Sequence, residues 1–329
     1  MDEWVTKGKM RMNKQFDLIC MGMALVDSII KGFNPEPISA SGYLAASGSL
    51  NVGGEAVNEA IAAAKLGLKT GIVCALGDDE AGDMVRSALR RNGVSIVHAA
   101  KGAGTPVTTL FISADGTRKS ITNEAHRHNF HPERNPAAFT DARALMLGSL
   151  FRAPFDDPAI IHAVLKAAKA AGQLVIADTK LPNFRRLTLE DLRDSLSMID
   201  YITPNEDEAR YYTGKADADA MAETLLAWGV RHVIIKLGAK GCLLMTPEKT
   251  IHLSGYAVNA VDTTGAGDNF AAGFASEILR GGTEEEALRF ANACGAVCTT
   301  AVGAGTALKS REQVLRFMSE TALERLTAQ

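Results

Sequence analysis

The feature that most constrains the fold is a regular alternation of two kinds of segment. Short runs rich in β-branched residues alternate with longer, Ala-rich amphipathic stretches along most of the chain. The runs occupy residues 16–22, 70–75, 144–148, 174–178, 201–203 and 232–237, and the stretches occupy residues 56–66, 81–91, 159–170 and 218–228. This alternation predicts an α/β fold with a mostly parallel sheet covered by helices. Because such sheets bind ligands beyond the carboxyl ends of their strands, the loops after strands are the first place to look for function.

Two segments interrupt this alternation. Residues 31–52 are rich in Gly, Ser, Pro and Ala, and residues 105–122 alternate polar and apolar side chains around Asp115-Gly116. An Asp-Gly pair between alternating runs is a hairpin signal, so the two segments predict a small antiparallel β lid. Such a lid covers a binding cleft or is a surface decoration. We expect one domain over residues 15–329, preceded by a flexible tail at residues 1–14.

Composition favours a small-molecule ligand and a cytoplasmic protein. The formal net charge is only −3, which gives no reason to expect nucleic acid or an anionic membrane as partner. No apolar run approaches the ~20 residues that cross a bilayer, and the basic N-terminus is not followed by a signal-peptide core. The five cysteines are an odd number without a Cys-x-x-Cys pair, so we interpret them as reduced core residues rather than metal ligands.

The strongest local signal is the segment 262–268, which leads into an apolar stretch of small residues at 271–279. Glycines before a helix leave backbone N–H groups unpaired at its N-terminus, where the helix dipole also favours an anion. Gly265, Ala266 and Gly267 therefore predict a phosphate cradle, with the Asp268 carboxylate at its mouth as proton acceptor. Helix capping is the alternative role of Asp268. Capping alone explains poorly why a carboxylate would stand beside bound phosphate, since like charges repel.

Two common nucleotide motifs are absent from the sequence. There is no Gly-x-x-x-x-Gly-Lys-Ser/Thr segment, which excludes a P-loop. Phe270 occupies the place of the third glycine of a dinucleotide fingerprint, so a Rossmann NAD site is not supported either.

Taken together, these segments resemble the PfkB/ribokinase family over nearly the whole chain. The segment Gly53-Gly54-Glu55-Ala56-Val57-Asn58, followed by Ala60, Ala63 and Leu66-Gly67, is similar to the first signature of that family, and residues 262–268 are similar to the second. The resemblance implies a ribokinase-like three-layer α/β/α sandwich with a small β lid. It also implies ATP-dependent phosphorylation of a hydroxyl, preferably a hydroxymethyl group, of a sugar or sugar acid, with Asp268 as general base.

The same resemblance implies roles for residues outside the anion segment. Asp27, in the loop after the first strand, and Gly53, Gly54 and Asn58, at a helix start, would bind substrate together with Asp268. Glu208, in an Asn-x-x-Glu element with Asn205, would order Mg²⁺ through water. The residues that would bind ATP are Asn205, Glu208, Lys236, Gly238, Gly241, Thr264, Gly265, Gly267 and Asn292. A K⁺ ion beside the anion site would be held by Asp262, Thr264, Cys298, Ala301 and Gly303.

Several alternatives remain open from the sequence. The lid segments hold few aromatic side chains that could stack on a base, which disfavours a nucleoside as substrate. A binding protein that kept the fold and lost the chemistry is a second alternative. His126, His128 and His131 lack the spacing of a metal site and are interpreted as a solvated or substrate-side loop. Arg118, Arg127 and Arg152 either face a substrate carboxylate or phosphate or are surface charge. An exposed lid edge could pair two copies into a homodimer.

Overall fold

The central element of the fold is a sheet of nine strands. The computed structural model describes residues 14–33, 42–101, 104–113, 117–123, 130–153, 155–183 and 185–327. With strands numbered in chain order, the sheet contains β1 (Phe16–Met21), β4 (Thr70–Leu76), β5 (Ser95–Lys101), β8 (Ala142–Leu150), β9 (Leu174–Thr179), β10 (Tyr201–Ile202), β11 (His232–Lys236), β12 (Cys242–Met245) and β13 (Thr250–Leu253). Within the described ranges their order is β13-β12-β11-β10-β9-β8-β1-β4-β5. All neighbouring strands from β5 across to β11 pair in parallel, whereas β11–β12 and β12–β13 are antiparallel. The prediction of a mostly parallel sheet is therefore confirmed.

Helices cover both faces of this sheet. They are α1 (Glu55–Lys65), α2 (Glu80–Arg91), α3 (Pro136–Thr140), α4 (Pro158–Ala170), α5 (Arg193–Leu196), α6 (Glu206–Thr213), α7 (Ala218–Ala227), α8 (Ala266–Arg280), α9 (Glu284–Cys298) and α10 (Arg311–Thr327). Alternate residues of β1 show the two cores: Leu18 and Cys20 pack with α1, α2, α8 and α9, whereas Ile19 and Met21 pack with α3, α4 and α7. Because a strand places successive side chains on opposite faces, this pattern makes a three-layer sandwich.

The lid is a second sheet with the order β3-β2-β6-β7. Its strands are β2 (Leu25–Lys31), β3 (Ser47–Gly53), β6 (Val107–Ile112) and β7 (Arg118–Thr122). The antiparallel pairing predicted for the lid is present in β2–β3 and in the β6–β7 hairpin, but the prediction is incomplete because β2 and β6 pair in parallel. Sequence reasoning missed β2 because β2 follows β1 after only three residues. The parallel pair of the lid is the one between β2 and β6, which are far apart in the chain. The predicted Asp115-Gly116 turn lies outside the described residues.

Other sequence predictions have separate outcomes. All five cysteines are free and buried, as predicted. In the part of the chain that the structure describes, no helix is long and apolar enough to cross a membrane. The predicted tail lies outside the described residues except for Lys14, and so do His126, His128, Arg127 and the side chain of Arg118.

Candidate active site

A cavity of about 980 Å³ lies between the lid and the carboxyl edge of the central sheet. The lid and the start of α1 line one half of it, through residues such as Asp27 and Asn58. The ends of parallel strands and the start of α8 line the rest. Predicted site residues at its wall are Asp27, Gly54, Asn58, Asn205, Glu208, Lys236, Gly238, Gly241, Thr264, Gly265, Ala266, Gly267, Asp268 and Asn292. Gly53, Asp262, Cys298, Ala301 and Gly303 are not at the wall.

The start of α8 carries the features of an anion site. Gly265 is the N-cap with a left-handed φ of 78°, and a Cβ there would overlap Ala304. The first-turn N–H groups of Gly265, Gly267 and Asp268 have no partner within the helix, because the first four N–H groups of an α-helix never do. Ala266 differs, since its N–H donates to the Thr263 carbonyl at 3.2 Å. The anion site therefore consists of the backbone N–H groups of Gly265, Gly267 and Asp268.

The Lys236 side chain strengthens this site. A Cβ added to Gly267 would lie 3.1 Å from Lys236 Nζ, so glycine leaves room for the ammonium beside the helix start. Lys236 Nζ also donates to Asp178 Oδ1 at 2.6 Å, and both side chains are buried. Burial alone would lower the pKa of Lys236, but Asp178 and Glu208 outweigh burial and raise it. Lys236 is therefore a permanent cation at the cavity wall.

Asp268 is held by a hydrogen bond from another helix. It lies at the third position of α8, and Gly265 rather than Asp268 is the N-cap, so the capping alternative is wrong. Its Oδ2 accepts from Asn58 Nδ2 at 2.7 Å. Burial raises the pKa of Asp268 to about 6, against the opposing effect of Lys180 and with a further rise from Glu55. At neutral pH the carboxylate is thus mainly ionised and can accept a proton.

Asn205 and Glu208 form a capping box at the start of α6. Asn205 Oδ1 accepts from the Glu208 N–H, and Glu208 Oε2 accepts from the Asn205 N–H, both at 2.9 Å. Thr179 Oγ1 donates to the same Glu208 oxygen at 2.8 Å. The two side chains therefore have a structural role at the start of α6. Glu208 nevertheless lines the cavity, and burial raises its pKa.

The described residues fit a magnesium ion held mainly by water and phosphate. No cluster of three or more His, Cys, Asp or Glu side chains among them could hold a metal by itself. Mg²⁺ usually keeps several waters and uses one or two carboxylates together with substrate phosphates. A single buried carboxylate such as Glu208, facing the same cavity as the anion site, matches that requirement.

Asp27 lies inside strand β2, so the prediction that it follows β1 in a loop is wrong. Within the sheet it pairs with Asn51, and its carboxylate lies against Gly53, where a Cβ would be 2.5 Å from Asp27 Oδ2. Gly53 therefore makes room for Asp27 rather than facing the cavity. Gly54, with a φ of 99°, is the N-cap of α1. Burial, with a contribution from Glu55, raises the pKa of Asp27 to about 6.

Sequence reasoning missed a charged group at the lid half of the cavity. Lys180 Nζ lies 3.6 Å from Glu55 Oε1, and both residues line the cavity together with Arg152. Burial would raise the pKa of Glu55, but Lys180 and Arg152 overcome it and hold the pKa below its usual value. Arg152 was predicted either to face an anionic substrate group or to be surface charge, and it lies at the cavity wall. Lys180 was missed, although it directly follows β9 and so had a positional signal.

The predicted potassium loop lies behind the anion site. Asp262 Oδ1 accepts from the N–H and hydroxyl of Thr264, and Asp262 Oδ2 accepts from the Gly303 N–H at 3.0 Å. Cys298 Sγ lies 3.5 Å from the Thr264 carbonyl oxygen. These four residues are thus brought together around one loop, and Ala301 lies in the bend that precedes Gly303.

Of the remaining residues, some lie at the cavity wall and others lie outside it. Gly238 and Gly241 turn the chain at positive φ after β11, and Asn292 reaches the same half of the cavity from α9. Lys240 is an exposed turn lysine. His131 Nδ1 lies 3.2 Å from Glu133 Oε1, outside the cavity wall.

Comparison with known proteins gives consistent matches. Residues 17–311 match the family described as pfkB family carbohydrate kinase. The chain is 29% identical to a ribokinase of Haemophilus influenzae, over 81% of this chain and 87% of that protein. It is 31% identical to the probable fructokinase-5 of Arabidopsis thaliana, over 92% and 97%. Among solved structures, Arabidopsis thaliana ribokinase complexed with ribose and ATP aligns with a TM-score of 0.81 and 29% identity, over 92% of this chain and 98% of that one.

Proposed function

The chain belongs to the pfkB family of carbohydrate kinases, and we propose that its cavity transfers the γ-phosphoryl group of ATP to a hydroxyl of a sugar or sugar acid. The observation that supports this most directly is the position of Asp268, a buried carboxylate in the first turn of the helix whose start forms the anion site. A carboxylate there can accept a proton from a hydroxyl that lies next to a phosphoryl group. Similarity to a ribokinase and a fructokinase agrees with a sugar acceptor.

In this proposal the nucleotide occupies the half of the cavity near α8 and the sugar occupies the half under the lid. The substrate hydroxyl lies beside Asp268, which takes its proton while the hydroxyl oxygen bonds to the γ-phosphorus. The bond between that phosphorus and the bridging oxygen breaks, and ADP leaves. First-turn N–H groups of α8 and the Lys236 ammonium stabilise the charge on the transferred group. When bound, Mg²⁺ neutralises phosphate charge, and Glu208 with its Asn205 partner would orient its waters.

The other predicted residues have supporting roles in this proposal. Asp27 and Asn58 bind sugar hydroxyls, and Gly53 and Gly54 let β3 and α1 approach them closely. Gly238, Gly241, Thr264 and Asn292 contact the nucleotide. The lid excludes water, which would otherwise accept the phosphoryl group in place of the sugar.

Two further parts of the proposal concern potassium and association. The loop around Asp262, with carbonyl oxygens of Thr264, Cys298, Ala301 and Gly303, would hold K⁺ behind the anion site. Replacing K⁺ by Na⁺ should then lower turnover.

Leu50 and Ile121 of the lid are 60% and 68% exposed, which supports a homodimer formed through this surface. Light scattering of the chain and of a Leu50→Lys variant measures that association.

The deciding experiment is ADP release with ATP and Mg²⁺ against sugars, sugar acids and nucleosides. The proposal expects turnover on a sugar or sugar acid. Turnover confined to a nucleoside would support the nucleoside kinase alternative. The sequence disfavours that alternative, because the predicted lid segments hold few aromatic side chains that could stack on a base, namely Phe33, Tyr43 and Phe111. ATP binding and sugar binding without any ADP release would support the non-catalytic alternative.

A further inference from the structure

Buried polar atoms without a hydrogen-bond partner concentrate at one place in the described part of the chain. This place is where β8 ends and α1 begins, at and behind the lid half of the cavity. Glu55 Oε2 and Arg152 Nε are such atoms in residues that line the cavity, and both carboxyl oxygens of Glu59 are such atoms behind it. The Ser149 side chain lies against the Glu55 carboxyl and helps to lower its pKa. Unpaired buried polar groups are costly, at about 1–3 kcal/mol each, so a polar ligand that pairs some of them gains affinity.

The backbone that carries Arg152 is strained. Ser149 and Phe151 both have a φ of 74°, and in the described ranges they are the non-glycine residues with positive φ. A bulky residue such as Phe rarely adopts this conformation, which costs about 1–3 kcal/mol and persists only where packing enforces it. Such strain concentrates at functional sites. The conformation turns the chain sharply at the end of β8 and brings Arg152 to the cavity wall.

Packing around Phe151 explains how the strained turn is kept. Its ring is fully buried and stacks on Tyr212, with 4.0 Å between ring centroids. Tyr212 Oη donates to the Lys180 carbonyl at 2.6 Å, and the Lys180 N–H donates to the Leu150 carbonyl at 3.0 Å. The loops that carry Arg152 and Lys180 are therefore fixed to each other before substrate binds. Preorganisation of this kind lowers the entropic cost of binding.

The two cations differ in what they already bind. Lys180 is paired with Glu55. Arg152 makes no side-chain hydrogen bond and no ion pair within the described part of the molecule, although its Nε is shut off from solvent. A guanidinium is always charged and presents two parallel N–H groups that match a carboxylate. The Arg152 guanidinium acts on the nearby Glu55 carboxylate through charge alone, without a hydrogen bond, so its N–H groups can donate to an anionic oxygen of the ligand.

We propose that the substrate is a sugar acid and that Arg152 binds its carboxylate, which narrows the proposed function and rests on it. Asp27 then binds hydroxyls at the lid, and the phosphorylated hydroxyl is the one beside Asp268. A carboxylate fits better than a sugar phosphate, because Asp27 and Glu55 already place negative charge near Arg152 and a dianion would be repelled more strongly.

The test compares matched neutral and acidic sugars. Steady-state ADP release is measured with ribose and ribonate, glucose and gluconate, 2-ketogluconate, and fructose 6-phosphate as the phosphate case. The inference expects an acid to have at least a tenfold higher kcat/KM than its neutral counterpart. Arg152→Gln should raise KM for that acid by about 10- to 100-fold, with kcat and the KM for ATP little changed, since the guanidinium binds substrate and transition state alike. Arg152→Lys should recover part of the loss.

Controls separate the inference from folding and from the proposed function. Arg289→Gln removes an exposed arginine of α9 and should leave both kinetics and melting temperature unchanged. A neutral sugar with a kcat/KM equal to or above that of its acid, an unchanged KM for the acid in Arg152→Gln, or preference for fructose 6-phosphate overturns the sugar-acid inference while the kinase proposal stands. If no compound releases ADP, the kinase proposal fails. The melting temperature then decides the inference: acids that stabilise the parent but not Arg152→Gln support it, and acids that stabilise neither overturn it.

Discussion

Asn58 Nδ2 donates a 2.7 Å hydrogen bond to Asp268 Oδ2, across 210 positions of the chain. The bond joins α1, which follows the lid, to the first turn of α8, where the anion site lies. It fixes one oxygen of the carboxylate and leaves Oδ1 available for a substrate hydroxyl. The two motifs that the sequence places far apart are thus parts of one site.

Asp268→Asn should abolish most turnover without abolishing nucleotide binding. The amide keeps the size of the carboxylate but cannot take a proton, so we expect kcat to fall by about 10²-fold or more. ATP binding, measured by calorimetry with Mg²⁺, should remain within a few-fold of the parent because the N–H groups and Lys236 are unchanged. Asp219→Asn, an exposed position on α7, is the matched control. Turnover at the parent level would remove Asp268 from the mechanism.

The pH dependence of kcat/KM should show an acid limb with a midpoint near pH 6. Asp268 must be ionised to act as base, and burial raises its pKa to about 6 in spite of Lys180, so activity falls as the pH drops through that value. Asp27, whose pKa is also about 6, contributes to the same limb. Rate profiles from pH 5 to pH 9 measure it.

Asn58→Ala should move that limb to higher pH. The Asn58 hydrogen bond stabilises the ionised form of Asp268, so its removal raises the pKa further. We expect the loss of kcat/KM relative to the parent to be larger at pH 6 than at pH 8. Asn92→Ala, which removes an amide bonded to the Ala88 carbonyl at the end of α2, is the control. An unchanged midpoint would show that the bond does not affect the titrating group.

Glu59→Gln should stabilise the protein at alkaline pH. Glu59 is fully buried, and neither carboxyl oxygen has a hydrogen-bond partner in the described part of the chain. Burial raises its pKa well above the ordinary value, with Asp178 and Asp268 adding to the rise. A carboxyl with a raised folded-state pKa gives stability that is present below its unfolded pKa and lost as pH rises through the folded value. A tenfold change in proton affinity corresponds to about 1.4 kcal/mol, and glutamine, which has no titrating proton, avoids this loss.

Denaturant melts at pH 5 and pH 8 measure this effect. The gain in the free energy of unfolding from Glu59→Gln should be larger at pH 8 than at pH 5. Glu223→Gln, at an exposed position of α7, should show no such difference. A gain that is equal at both pH values would mean that Glu59 does not hold its proton in the folded state.

Local pattern accounts for what the sequence predicted, and packing accounts for what it missed. The predicted helix at residues 159–170 is α4 (Pro158–Ala170), because its apolar spacing is set within a few turns. The anion site follows from Gly265 and Gly267 in the same way. The parallel pairing of β2 with β6 joins residues about 80 positions apart, and no local pattern encodes it.

The charged side chains of the site show the same division. Asp268 was predicted from its place beside the glycines. Lys180, Asp178 and Glu59 were not, because their importance comes from the meeting of strand ends and a helix in three dimensions. Only once β8, β9 and α1 are assembled does Lys180 face Glu55, and only then does the carboxyl of Glu59 lie under Gly148, where a Cβ would be 2.9 Å from its Oε2.

Gly265→Ala should damage the site more than the strain of its backbone explains. Gly265 and Gly214 share a left-handed φ, of 78° and 69°, but a Cβ would overlap Ala304 at Gly265 and meet nothing within 4 Å at Gly214. Gly214→Ala therefore measures the conformational cost alone, about 1–2 kcal/mol, with normal turnover. Gly265→Ala adds a displacement of the helix start that holds the phosphate, and a shift of about 1 Å there should lower kcat by about 10²-fold. Melting and ADP release are measured on both variants. Equal kinetics would mean that the contact between Gly265 and Ala304 does not position the anion site.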